Sequence, residues 1–345
     1  MLPRINTLEI ELQETTIDTN LPWHNTIWQQ MLRRWQQDRL PHALLLTGPQ
    51  GMGKTLFAKR FSETLLCEQP LADGQICGQC KPCHLLRADT HPDLFQVLPV
   101  QAGKQITVAQ IRNLIQISVM TTHYGHYKIV TINPAEAMNR NAANSLLKLL
   151  EEPPPKTLIM LVSHQPMALL PTIRSRCQRL EFSRPDHKLV ETWLRTRSNK
   201  REDELQLLLN LTAQAPLAAL ALAETDGMTQ RQTLFDNLIN LPTNDPVHIA
   251  EIWSKMDAVQ VLQWMLSWTM DIIRYASTSQ TQYLVNHDHQ QSLQRLARQL
   301  NLHGLFNLLD LIQSTYQIVI GNASIKPQGL FESIAIAWLE LRRTQ

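Results

Sequence analysis

Gly48-Pro49-Gln50-Gly51-Met52-Gly53-Lys54-Thr55 follows the apolar run Ala43-Leu44-Leu45-Leu46 and precedes a helical pattern that begins at Leu56. In such an order of strand, glycine-rich turn and helix, the backbone N–H groups of the turn converge on phosphate oxygens. The lysine reaches the outer phosphates, and the threonine hydroxyl can hold Mg²⁺. Gly48, Gly51, Gly53, Lys54 and Thr55 are therefore candidate nucleotide-binding residues, with ATP and Mg²⁺ as the implied ligands. The plainer alternative is a glycine turn that only opens a helix.

The chain has 345 residues, enough for two or three domains with cores of their own. A hydrophobic share of 43% and a charged share of 18% are ordinary for a globular protein. No uninterrupted apolar run is long enough to cross a bilayer, and Glu9, Glu11 and Glu14 interrupt the first twenty residues where a secretory signal would be apolar. A cytoplasmic protein without membrane contact is expected, its first twenty residues forming a strand or a loose extension. A formal net charge of +2 excludes a broad electrostatic grip on nucleic acid by this chain alone.

Cys67, Cys77, Cys80 and Cys83 follow the helix expected after the loop, and Gly74, Gly78 and Pro82 make turns between them. Four thiolates can close a tetrahedral shell around Zn²⁺, and the two short spacings let successive sulfurs converge from one knuckle. These four are the candidate ligands of a structural zinc, with His84 as a substitute and reduced, buried thiols as the alternative. A fifth cysteine, Cys177, leaves an odd count that speaks against disulfides.

Periodicity predicts a helix from Leu21 to Leu40 stopped by Pro41, a strand at Leu94–Leu98, a helix from Thr107 to Val119 and a strand at Lys128–Ile132. A helix over Asn139–Glu152, with Ala143, Leu146, Leu147 and Leu150 facing the core, runs into Pro153-Pro154-Pro155. Strands at Thr157–Ser163 and Gln178–Phe182 follow. Alternating strand and helix units of this kind favour a parallel sheet with helices on both faces. Asn133-Pro134 stands at the end of the third strand, where an ATPase of this class needs one carboxylate for Mg²⁺ and one to orient water. Beyond Pro185 only helical patterns persist, with joints at Gly227, Pro242 and Pro246. Trp253, Trp264 and Trp268 fall at helical spacing on an apolar face, which favours core packing over a platform for bases.

The stretch Asn141-Ala142-Ala143-Asn144-Ser145-Leu146-Leu147-Lys148-Leu149-Leu150-Glu151-Glu152-Pro153-Pro154, with the glycine loop and the cysteines before it and Ser175-Arg176-Cys177 after it, closely resembles the clamp-loader branch of the AAA+ ATPases. The resemblance covers residues 22–183; the helical remainder matches in architecture alone. It implies an α/β plus all-α fold in three parts. These are an AAA+ P-loop domain over 1–183 with a five-stranded parallel sheet and a zinc module, a small helical lid over 184–226, and a helical collar for oligomerisation over 227–345. The implied partners are the gamma/tau and delta subunits of a clamp loader, a sliding clamp and primed DNA, in an assembly whose polymerase chemistry resides elsewhere.

Two departures point to a non-hydrolysing member of that branch. Asn133-Pro134 replaces the acidic pair, and Thr212-Ala213-Gln214-Ala215-Pro216-Leu217-Ala218 lacks the arginine with which a hydrolysing member senses nucleotide. The resemblance then gives Arg176 a catalytic role in trans, as an arginine finger on the γ-phosphate bound by a neighbour, and makes Ser175 and Cys177 positioning and packing residues. A surface ion pair is the bland alternative for Arg176. Competing readings of the whole chain are an ATP-hydrolysing gamma/tau-type ATPase and a zinc-dependent DNA-binding module resting on residues such as Lys104 and Arg112.

Overall fold

The computed structural model describes residues 20–101, 103–118, 121–124, 127–321 and 325–343. Apart from Asn20, the first twenty residues lie outside them, as does Val119. The chain divides into two compact units, 1–190 and 191–345.

The first unit is built on five strands: β1 (Ala43–Thr47), β2 (Leu94–Val97), β3 (Lys128–Ile132), β4 (Thr157–Ser163) and β5 (Gln178–Glu181). They pair in the order β2-β3-β4-β1-β5, and every pairing is parallel. All residues of β1 and β4 are buried, which accounts for their reading as continuous apolar runs with little alternation. The helices are α1 (Asn25–Gln36), α2 (Lys54–Leu66), α3 (Lys81–Arg87), α4 (Val108–Ser118), α5 (Arg140–Glu151) and α6 (Pro171–Arg176). Ala43 and Leu45 join one core cluster with Ile111, Leu146, Leu150 and Ile173 from α4, α5 and α6. By strand alternation Leu44 and Leu46 point to the other face, where α2 packs on β4.

Local chemistry sets the ends of these helices. Asn139 caps α5, its side-chain oxygen accepting the Ala142 N–H at 2.8 Å, and the three prolines after Glu152 prevent continuation. On α5 the buried leucines are Leu146, Leu149 and Leu150, whereas Leu147 is only half-buried at the edge of the face. Helix α1 ends at Gln36, short of Pro41, because Asp38 takes a left-handed conformation with φ 53°. The short helices α3 and α6 are additions to the sequence-based expectation.

The second unit is helical: α7 (His187–Arg195, crossing the division), α8 (Glu202–Leu211), α9 (Pro216–Glu224), α10 (Gly227–Asn240), α11 (Pro246–Ser254), α12 (Ala258–Thr278), α13 (Gln290–Gln299), α14 (Leu302–Gly321) and α15 (Gln328–Arg343). Trp253, Trp264 and Trp268 are all buried, so they form core and not a stacking platform. Arg231 on α10 is 1% exposed and must find acceptors inside the protein. It pairs with the Asp288 carboxylate and donates to Asn286 Oδ1 at 2.7 Å. The Asn286 amide in turn donates to Asp271 on α12 at 2.8 Å. His289 stacks on Phe235 at 3.7 Å and approaches Arg231 at 3.3 Å. One buried cation therefore ties α10, α12 and the segment before α13 together.

Replacing Arg231 by Met leaves Asp288 and Asn286 without their partner, a change expected to cost about 3–5 kcal/mol of stability and to show in the denaturation midpoint. Burial holds the imidazoles of His289 and of His24, which packs edge-on against Phe57 and Phe182, at a pKa of about 4 instead of 6.5. Between those values the unfolded chain binds protons that the folded chain refuses. The stabilisation is full above pH 6.5 and is lost as pH falls towards 4. Urea midpoints should accordingly drop between pH 7.5 and pH 5, with a shallower drop for His24→Gln; equal midpoints would contradict the assignment.

Candidate functional site

Parallel registry determines what meets at the edge of the sheet. Thr47 of β1 pairs with Ser163 of β4, and Ile132 of β3 pairs with Leu161, so Gly48, Asn133 and His164 leave the same carboxyl-terminal edge. In open α/β sheets this edge is where ligands bind. The loop here has little steric freedom. Gly48 has φ +144°, and a Cβ on it would lie 2.3 Å from the Phe182 carbonyl oxygen. Gly53 has φ +82°, and its Cβ would lie 2.4 Å from a Leu21 methyl. The Met52 carbonyl accepts from Trp23 Nε1 at 3.0 Å and from His24 Nε2 at 2.8 Å, which fixes the loop from outside and places the His24 proton on Nε2.

Lys54 opens α2 and is 2% exposed. Its ammonium donates to the carbonyls of Gly48 and Pro49, both at 2.7 Å. These are neutral acceptors, and phosphate oxygens in their place would form stronger, charge-assisted bonds. Together with the N–H groups at the start of α2, the lysine suits the loop to an anion. The Mg²⁺ side of the site differs. The Asn133 amide donates to Thr55 Oγ1 at 3.2 Å, so a neutral side chain meets the threonine where metal chemistry calls for a carboxylate. The lysine and the start of α2 suit an anion such as phosphate, whereas the Thr55–Asn133 side offers no charge to a divalent cation.

Glu136 is a nearby acid that the sequence reading passed over. It lies in the turn after β3, where its Oε1 accepts from the backbone N–H groups of His164 at 2.9 Å and Gln165 at 3.2 Å. Its position three residues beyond Asn133 was the available signal. The carboxylate is thus engaged in joining the exits of β3 and β4. His164 is held at a pKa of about 4, chiefly by burial and further by the charge of Lys54, against the opposing pull of Glu136. The imidazole is neutral at physiological pH.

The four cysteines of the second motif converge as the spacing predicts. Cys67 follows the last residue of α2, Cys80 caps α3 and Cys83 lies within it. Sulfur separations are 3.6 Å for Cys67–Cys83, 3.9 Å for Cys77–Cys83 and 4.0 Å for Cys67–Cys80, and all four sulfurs lie within 4.8 Å of one another. Zn–S bonds of about 2.3 Å put tetrahedral sulfurs about 3.8 Å apart, so the cluster fits a metal ion such as zinc. The same distances are far too long for disulfides, which need about 2.05 Å. Backbone N–H groups of Gln79 and Cys80 lower the Cys77 thiol to about 6, while burial raises Cys67 and Cys83. His84 is exposed and is not needed to complete the set. The cysteine loop rests on α1 and α2: Trp28 Nε1 donates to the Asp73 carbonyl at 2.8 Å and Thr64 Oγ1 to the Gly74 carbonyl at 2.6 Å.

Arg176 is not part of this edge. It ends α6, immediately before β5, and β5 begins at Gln178, paired with Leu44 near the start of β1. The glycine loop leaves the opposite end of the same strand, a span of roughly 15 Å. Within its own chain the Arg176 guanidinium pairs with Glu151 at 2.6 Å and donates to the Thr172 carbonyl at 3.1 Å, the surface ion pair weighed as the alternative. Cys177 is buried in the core cluster, where burial pushes its thiol up to about 12, and packing is its role.

The family profile described as DNA polymerase III, delta subunit, matches residues 23–186, and its C-terminal counterpart matches residues 225–340. DNA polymerase III subunit delta' of Pseudomonas aeruginosa is 36% identical over 93% of this chain and 97% of its own length. The Escherichia coli subunit of the same name is 32% identical over 73% of this chain and 76% of its own. DNA polymerase III subunit tau of Bacillus subtilis is 31% identical over 59% of this chain and 34% of its own. With similarity running through nearly the whole length of both proteins in the Pseudomonas comparison, the chain belongs to the family of DNA polymerase III delta-prime subunits.

Proposed function

We propose that the chain is the non-hydrolysing member of a clamp-loader ring, working with gamma/tau and delta subunits to open a sliding clamp and place it on primed DNA, and that it lends Arg176 to a neighbour's active site. The observation that carries this reading is the separation of Arg176 from its own glycine loop by the length of β1. An arginine at the amino-terminal edge has no access to a phosphate held at the carboxyl-terminal edge of the same sheet, whereas a neighbouring subunit can bring its nucleotide to that surface. There the planar guanidinium would stabilise charge developing on the γ-phosphate. The loop of Gly48, Gly51, Gly53, Lys54 and Thr55 is read as a retained nucleotide pocket that binds ATP without turnover, since Asn133 supplies no charge for Mg²⁺.

In the same reading Cys67, Cys77, Cys80 and Cys83 hold a structural zinc. All four sulfurs belong to the protein, which leaves no coordination position for a reactive water. The same reading divides the chain into a P-loop domain (1–183), a helical lid (184–226) and a collar (227–345).

In a reconstituted ring, Arg176→Ala should leave assembly intact and lower DNA- and clamp-stimulated ATPase by roughly tenfold or more at the site it serves, with incomplete rescue by Arg176→Lys. The chain alone should show no ATP turnover. Undiminished stimulated ATPase in the Arg176→Ala ring would refute the role in trans. Native mass spectrometry should find one zinc ion per chain, lost on combining Cys80→Ser with Cys83→Ser; a metal-free, well-folded native protein would exclude the zinc site.

A further inference from the structure

The Arg176 guanidinium is held at two points before any partner is present. Glu151 Oε1 lies 2.6 Å from Nη2, and the Thr172 carbonyl accepts from Nη1 at 3.1 Å. Both anchors stand on a firm base: α5 and α6 share a core through Leu146, Leu150, Ile173 and Cys177. Glu151 is the last residue of α5, where a carboxylate faces the negative end of the helix dipole and is unfavourable unless a cation compensates it. Arg176 is that cation. A guanidinium has five N–H donors in a fixed plane. The two contacts use one donor each, and three are left for an outside anion.

We propose that Glu151 is a positioning residue for Arg176, holding the arginine in one orientation so that a neighbour's nucleotide meets a guanidinium that is already ordered. This rests on the reading of Arg176 as a residue acting in trans. The side chains of Arg176 and Glu151 are 36% and 49% exposed, so the pair is individually weak and can coexist with, or yield to, a multiply charged phosphate. Its contribution is orientation: an unanchored arginine would have to lose its rotamer freedom at each engagement. A merely local surface pair would act independently of Arg176 chemistry, and that difference is measurable.

The test is a cycle in the reconstituted ring with wild-type chain, Glu151→Gln, Arg176→Ala and the double variant. Glu151→Gln should lower the stimulated ATPase kcat by roughly two- to fivefold with the KM for ATP unchanged, and should cause no further loss in the Arg176→Ala background. Glu151→Asp, which keeps the charge, should recover part of the loss. In the full-length chain alone, NMR of arginine side chains should find restricted rotation of the Arg176 guanidinium, released in Glu151→Gln. A Glu151→Gln effect that is absent, or that persists at the same ratio without Arg176, overturns the positioning role and leaves the trans reading standing. Unchanged ATPase in Arg176→Ala alone removes the trans reading and this inference with it.

Discussion

Parallel pairing of β1 with β4 on one side and β5 on the other is the constraint on which the rest of the first unit depends. Parallel strands send all their carboxyl ends to one edge, so the glycine loop, Asn133 and His164 must gather there. The same geometry sends the segments that enter strands to the other edge, and Arg176 enters β5. A chain built this way has two chemically different edges, one able to receive phosphate and one able to offer a guanidinium. Neither can complete the other within a single molecule. The two edges are thus kept apart by the length of β1, whichever side chains they carry.

Two buried cations illustrate how far each site is self-sufficient. Arg231 is met by a carboxylate and an amide, and the amide is anchored in turn by Asp271. The Arg231 charge is thus met inside the protein, and the network serves packing. The Lys54 ammonium donates to two loop carbonyls. A lysine and helix-start N–H groups at one point are a combination that suits an anion, and the threonine beside them has an amide for a neighbour. Lys54 thus offers a cation at the start of α2, while Thr55 beside it meets a neutral amide.

Much of this was legible in the amino-acid sequence because it was written locally. The strands β1, β3 and β4 announce themselves as short apolar runs, Asn139 and the three prolines bracket α5, and the four cysteines carry their geometry in their spacing. What escaped was either too short or too distant. The six- and seven-residue helices α6 and α3 are under two turns, so a period of 3.6 residues has no room to show itself. Glu136 was hidden because its partners are backbone amides at 164 and 165, which have no residue signature. The Glu151–Arg176 contact joins residues on two elements separated by β4, and only the packing of α5 on α6 brings them together. Asp38 ended α1 earlier than Pro41 would, because a single left-handed residue is a possibility that periodicity does not weigh.

The cysteine module and the glycine loop are far apart in chemistry but rest on one aromatic layer. Trp28 meets Phe57 and Phe61 edge-on at 5.6 and 5.9 Å, and Phe57 meets Phe182 and His24 at 5.2 and 5.7 Å. At one end of the layer, the Trp28 indole N–H grips the cysteine loop through the Asp73 carbonyl. At the other, His24 and Trp23 hold the Met52 carbonyl, and Phe182 crowds Gly48 closely enough to exclude any side chain there. Close-packed aromatic rings transmit displacement because they leave no void to absorb it. A metal ion bound by the four sulfurs would therefore also hold the seat of Trp28, and through Phe57 the ring of His24 that braces the loop. The aromatic layer thus links the cysteine loop to the glycine loop through packed side chains.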